Sequence, residues 1–177
     1  MIIEFFGEPG VGKTYLSKKM FPKRTLKKVN KISKIYYTSK FIITHSCSFL
    51  YLMKLCLNHP FKKMMISQVV FSITKYYIAK KKGYVLDENF IQLGFLLLLD
   101  NFKDEINNYL TKTPIAKKVF YINSSEKRSK KNMKKRGDDG VESILGKKNY
   151  LKVIKNFDIQ DKENIIYGDF IIKKINN

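Results

Sequence analysis

Three groups of residues in this chain have the types and spacing that phosphate chemistry needs. The first is Gly7-Glu8-Pro9-Gly10-Val11-Gly12-Lys13-Thr14, which fits G-x-x-x-x-G-K-[ST] and is followed by Tyr15. Glycines in such a loop let the backbone curl around phosphate oxygens with its amide hydrogens inward, and a helix starting there adds its positive end. Lys13 would reach the β- and γ-phosphates of ATP, and Thr14 would hold Mg²⁺ through its hydroxyl. The second group is Asp87-Glu88 in "YVLDEN". Asp87 would orient the metal through its water shell, and Glu88 is placed to approach an acceptor hydroxyl as base or orienter. The third is the basic stretch "EKRSKKNMKKRGDDG". The chain has three arginines, Arg24, Arg128 and Arg136, and two of them fall here. Planar guanidinium groups stabilise the charge that builds on a phosphoryl group in flight. A basic helix closing over the nucleotide would also expel water.

The elements that must position these groups alternate. "MIIEFFG" reads as a strand and "KTYLSKKMF" as the helix after the glycines; "GYVLDENF" is a second strand. Residues 90–110 read as one long helix stopped by Thr113-Pro114, and "KKVFYINSS" as a third strand. Ser124 or Ser125 would cap the basic helix of residues 124–140, a lid. A further helix near Tyr150 to Asn156 precedes one last strand, "NIIYGDFIIKKI". Residues 21–80 should hold helices over the carboxyl edge of the sheet, with room for one more strand. Strands separated by helices give an α/β fold with a parallel sheet covered on both faces, in a single domain spanning residues 1–177. Glu4 is the odd residue of the first strand, and is expected at its solvated end or paired with a Lys.

Taken in order, GEPGVGKT, an acidic pair after a later strand, and a strand followed by a helix ending "KKRG" resemble the nucleoside and nucleotide kinase group of P-loop proteins. That group includes thymidylate-kinase-like and adenylate-kinase-like enzymes. The resemblance implies a three-layer fold with a parallel sheet of about five strands, a lid helix carrying Arg128 and Arg136, and an acceptor site over residues 21–80. Asp87-Glu88-Asn89 stands where thymidylate kinases have an Asp-Arg pair.

Composition bounds the partners. Net charge is +20, and between Pro9 and Leu86 there are 17 Lys and Arg but no acid. Such a one-sign surface attracts anions, whether small phosphorylated metabolites or nucleic acid. Cys47 and Cys56, near His45 and His59, match no zinc spacing and read as ordinary core thiols. No leader or membrane span is expected, since the apolar run from Phe90 to Leu99 is half the roughly 20 residues a bilayer needs; the expected location is cytoplasmic.

Other P-loop classes fit worse. Asn30-Lys31-Ile32-Ser33 lacks the Asp of a guanine-reading motif, and an ABC-type signature is absent. The reading is a small ATP- and Mg²⁺-dependent kinase acting on a nucleoside, nucleotide or sugar derivative, as monomer or homodimer, with no specific nucleic acid bound. The alternative is a nucleotide-gated protein that holds nucleic acid or a partner.

Overall fold

A computed structural model of the chain describes residues 2–7, 11–24, 29–98, 102–116, 118–123, 164–167 and 170–176. Its centre is β1 (Ile3–Gly7), in which every residue is buried. The strand is flanked in parallel by β2 (Val85–Asp87) and β3 (Lys118–Asn123), with Ile3 opposite Val85 and Gly7 opposite Ile122. Both faces are covered, which is why β1 is almost continuously apolar rather than alternating. On one face Ile3 and Phe5 pack with Val11, Val85 and Ile122. On the other, Phe6 stacks on Phe95 at 5.7 Å and leans on Tyr121 at 5.1 Å, inside the larger core.

The full sheet has five strands in the order β2-β1-β3-β5-β4, where β4 is Asn164–Tyr167 and β5 is Phe170–Asn176. The expected count holds, but two expectations change. The last segment is two strands rather than one, and β4 runs antiparallel to β5, with Tyr167 opposite Phe170. In the sequence Gly168-Asp169, residue types common in turns, stand between them within an otherwise even β-pattern.

After the loop, α1 (Lys13–Met20) begins at Gly12, whose φ of 94° suits a residue without Cβ. Three helices fill the region before β2: α2 (Lys31–Thr44), α3 (Ser46–Asn58) and α4 (Lys62–Lys82). Asn30 caps α2 by accepting from the Ser33 amide at 2.7 Å. Helix α4 ends at Gly83 in the left-handed conformation, with Lys80, Lys81 and Lys82 at its negative end. No extra strand occurs among the described residues here. No single helix among them is long and apolar enough to cross a membrane; α2 and α3 pass that test only as a pair, bent by 113°. Cys56 is buried, and burial pushes its thiol up to about 11, but Cys47 is exposed and not a core thiol as expected.

The long helix expected over residues 90–110 is two helices, α5 (Phe90–Leu98) and α6 (Phe102–Lys112). The reason is tertiary. Tyr109 is fully buried against α5, and its hydroxyl donates to the Phe90 carbonyl at 2.8 Å. Gly94 makes room for it, since a Cβ there would lie 2.8 Å from the Tyr109 ring. Gly94→Ala should therefore destabilise the fold by about 1–2 kcal/mol in urea unfolding, because overpacking outweighs the gain of roughly 1 kcal/mol in helix propensity. Unchanged or higher stability would show that the ring can move aside.

Candidate active site

The carboxyl ends of β1 and β2 bring the first two residue groups together. Gly7 closes β1 so near to β3 that a Cβ would sit 2.5 Å from the Ile122 carbonyl oxygen. The chain then reaches Val11 and Gly12 and enters α1 with Lys13 and Thr14. Lys13 is buried, and its ammonium donates to the Gly7 carbonyl at 2.7 Å and pairs with Glu88 Oε1 at 2.9 Å. Thr14 donates its hydroxyl to Asp87 Oδ2 at 3.0 Å. The last two residues of the loop thus face Asp87, which ends β2, and Glu88, which follows it, one to one. Tyr15 is exposed on α1. Glu8, Pro9 and Gly10 lie outside the described residues, as do Arg128, Arg136 and the whole lid of residues 124–140.

Two further residues belong here that the sequence reading did not assign. Lys75 of α4 is buried, and its ammonium donates to the carbonyls of Asp87 at 3.0 Å and Glu88 at 2.6 Å, lying 3.8 Å from Asp87 Oδ1. A signal was present: Lys75 stands on a helical face between Phe71 and Ala79, where a surface lysine would have polar neighbours. It joins the 21–80 region to the acidic pair. Arg24 contributes its carbonyl, which accepts from the Val85 amide at 2.6 Å.

Glu4 is the second. It is neither solvated nor ion-paired, contrary to expectation. It is fully buried on the Phe6 face of β1, and its Oε1 accepts from the amides of Asn89 at 3.0 Å and Ile91 at 2.9 Å, at the start of α5. Burial pushes its carboxyl up to about 7, opposed by those two amides and by the Lys75 charge. The folded state therefore binds this proton more tightly than the unfolded chain, whose value is 4.5. The stability linked to Glu4 is fully present below pH 4.5 and is lost as pH rises to about 7, on the order of 3 kcal/mol. Glu4→Gln should remove this slope, so that the variant gains on the wild type in unfolding measured at pH 8 relative to pH 5. Parallel pH profiles would contradict the burial argument.

A separate pocket of about 530 Å³ lies between α3, α5 and α6, lined among others by Tyr51, Lys54, His59 and Glu105. It contains none of the loop or β2 residues. Among the described residues no group of three or more His, Cys, Asp or Glu could hold a metal, and His45, Cys47, Cys56 and His59 form no such group.

No family model and no curated protein matches the sequence. Solved structures do. Deoxyadenosine kinase from M. mycoides with bound dATP aligns over 99% of this chain and 91% of its own, at 20% identity and a TM-score of 0.55. The same enzyme with its products dCMP and dCDP aligns over 99% and 90%, at 19% identity and a TM-score of 0.56. At this level of identity the likeness shows the fold alone, an α/β fold shared with these deoxyadenosine kinase structures.

Proposed function

We propose that this chain is an ATP-dependent phosphotransferase that moves the γ-phosphoryl group to a hydroxyl of a small acceptor, a deoxynucleoside foremost. The observation that carries the reading is the one-to-one pairing of Lys13 with Glu88 and of Thr14 with Asp87. Any P-loop nucleotide hydrolase or kinase uses a metal-side carboxylate beside the lysine and the threonine; a kinase adds a carboxylate on the acceptor side, and Asp87 at the end of β2 with Glu88 directly after it supplies a candidate for each. The choice of a deoxynucleoside rests on the deoxyadenosine kinase structures that share the fold.

The residues divide the work as follows. The backbone N–H groups of the loop up to Lys13, Pro9 excepted, would cradle the phosphates, and Lys13 would leave Glu88 to bind the β- and γ-phosphates. That exchange frees the Glu88 carboxylate, half-exposed in the structure, to face the acceptor hydroxyl and take its proton. The bond from the γ-phosphorus to its bridging oxygen breaks as the bond to the acceptor oxygen forms, and ADP leaves. The hydroxyl of Thr14 and the carboxylate of Asp87 fit Mg²⁺, which takes one or two hard protein oxygens alongside phosphate and water. When bound, it would neutralise charge on the phosphates. Arg128 and Arg136 are assigned to the same charge from the lid side.

The test is ADP release against a panel of nucleosides, nucleotides, phosphosugars and simple alcohols. A deoxynucleoside should stimulate release most; no stimulation by any acceptor would refute the reading. A polynucleotide arm separates it from a nucleic-acid ATPase. The 17 basic residues between Pro9 and Leu86 should bind DNA or RNA weakly, with binding largely gone by about 0.2 M salt and no stimulation of turnover. Tight oligonucleotide binding at that salt with faster ADP release would favour the alternative class.

A further inference from the structure

Asp87-Glu88-Asn89 is held by distant residues at four of its six backbone polar groups. The Glu88 amide donates to the Phe5 carbonyl at 2.9 Å. The carbonyls of Asp87 and Glu88 both accept from Lys75, and the amides of Asn89 and Ile91 both donate to Glu4. Within this frame Glu88 has a φ of 72°, and among the described residues it is the one non-glycine residue with positive φ. A side chain in that left-handed region is strained, and such strain persists only where the surroundings over-determine it. Here it turns the Glu88 carboxylate back onto Lys13, at 2.9 Å.

Plain helix capping does not account for Glu4. Asn89 occupies the N-cap of α5, where its side chain is the usual cap, yet both of its side-chain polar atoms are buried without a partner and Glu4 takes the amides instead. A carboxylate buried in the middle of a central strand is a local rule broken at a functional site.

We propose that Glu4 and Lys75 are positioning residues, a clamp from β1 and α4 that fixes the left-handed turn at Glu88 and thereby aims its carboxylate first at Lys13 and then at the acceptor hydroxyl. This rests on the kinase reading for the second target only. Glu4 feels the charge of Lys75 of α4 and the amides of the turn, and Tyr109 of α6, whose proton burial first and Glu4 second make harder to lose, lies within reach of its charge.

The experiment uses Glu4→Leu, Glu4→Gln and Lys75→Met in the full chain. Turnover at saturating ATP should fall roughly 10- to 100-fold in Glu4→Leu and Lys75→Met, the size expected when a reacting group is misplaced by about 1 Å. MgATP affinity by calorimetry should stay within about threefold, and Glu4→Gln, which keeps an acceptor for the amides, should recover most of the turnover. Folded Glu4→Leu or Lys75→Met with wild-type turnover would overturn the clamp, as would Glu4→Gln as slow as Glu4→Leu. Amide exchange is read in parallel. Glu88, Asn89 and Ile91 should be protected in the wild type, and Lys75→Met, which bonds none of these amides, should still speed their exchange. Unchanged protection there would overturn the proposal. A wild type that no acceptor stimulates would refute the kinase reading alone, leaving the exchange result to decide the clamp.

Discussion

Replacing Glu88 by Gln should lower acceptor-dependent turnover by roughly 10²- to 10⁴-fold, the usual contribution of a positioned general base. Nucleotide affinity should stay near the wild-type value or rise slightly. The asymmetry follows from the geometry. In the free protein Glu88 holds Lys13 at 2.9 Å, so it competes with the phosphates for that ammonium. A neutral amide competes less, and it has no basic oxygen for the acceptor proton. Asp87→Asn should behave differently, because Asp87 meets Thr14 on the metal side; Mg²⁺-dependent binding and turnover should weaken together. Calorimetry with and without Mg²⁺, beside steady-state kinetics, separates the two carboxylates. Equal loss of nucleotide binding in both variants would contradict the division between them.

Lys13→Ala should reduce MgATP affinity about 10- to 100-fold, from loss of a charge-assisted phosphate contact worth about 1.5–3 kcal/mol. Lys13 is buried and bonded to the Gly7 carbonyl, so its removal also loosens the end of β1. Lys13→Met keeps most of the side-chain volume and should show the same loss, which separates the charge from the packing. Wild-type affinity in a folded Lys13→Met protein would remove Lys13 from the nucleotide site.

The parts of this account legible in the sequence are those set by local pattern. The strand–loop–helix around Lys13 and the strand before Asp87 follow from apolar runs meeting glycine or acid, and Thr14 and Asp87, paired in the motif reading, lie within hydrogen-bond distance at 3.0 Å. What was not legible depends on contacts between distant residues. Nothing within ten residues of Glu4 announces that its carboxylate will meet amides 85 and 87 positions away. Likewise the break between α5 and α6 comes from Tyr109 returning to Gly94, while the residues on either side keep a helical period. Lys75 was hidden by abundance, one of many lysines in a basic half, and only its place on an apolar face marks it. The hairpin of β4 and β5 is the exception, a local signal at Gly168-Asp169 outweighed by the apolar residues flanking it.

The central claim is transfer to an acceptor rather than hydrolysis. It is tested most directly by following γ-labelled ATP in the presence of Mg²⁺ and deoxyadenosine or another deoxynucleoside. Label is expected in the nucleoside monophosphate with one ADP formed for each phosphoryl group transferred, and Glu88→Gln should give little labelled monophosphate and little ADP. Label that appears only as inorganic phosphate, at a rate no acceptor changes while ATP binding is intact, would contradict it.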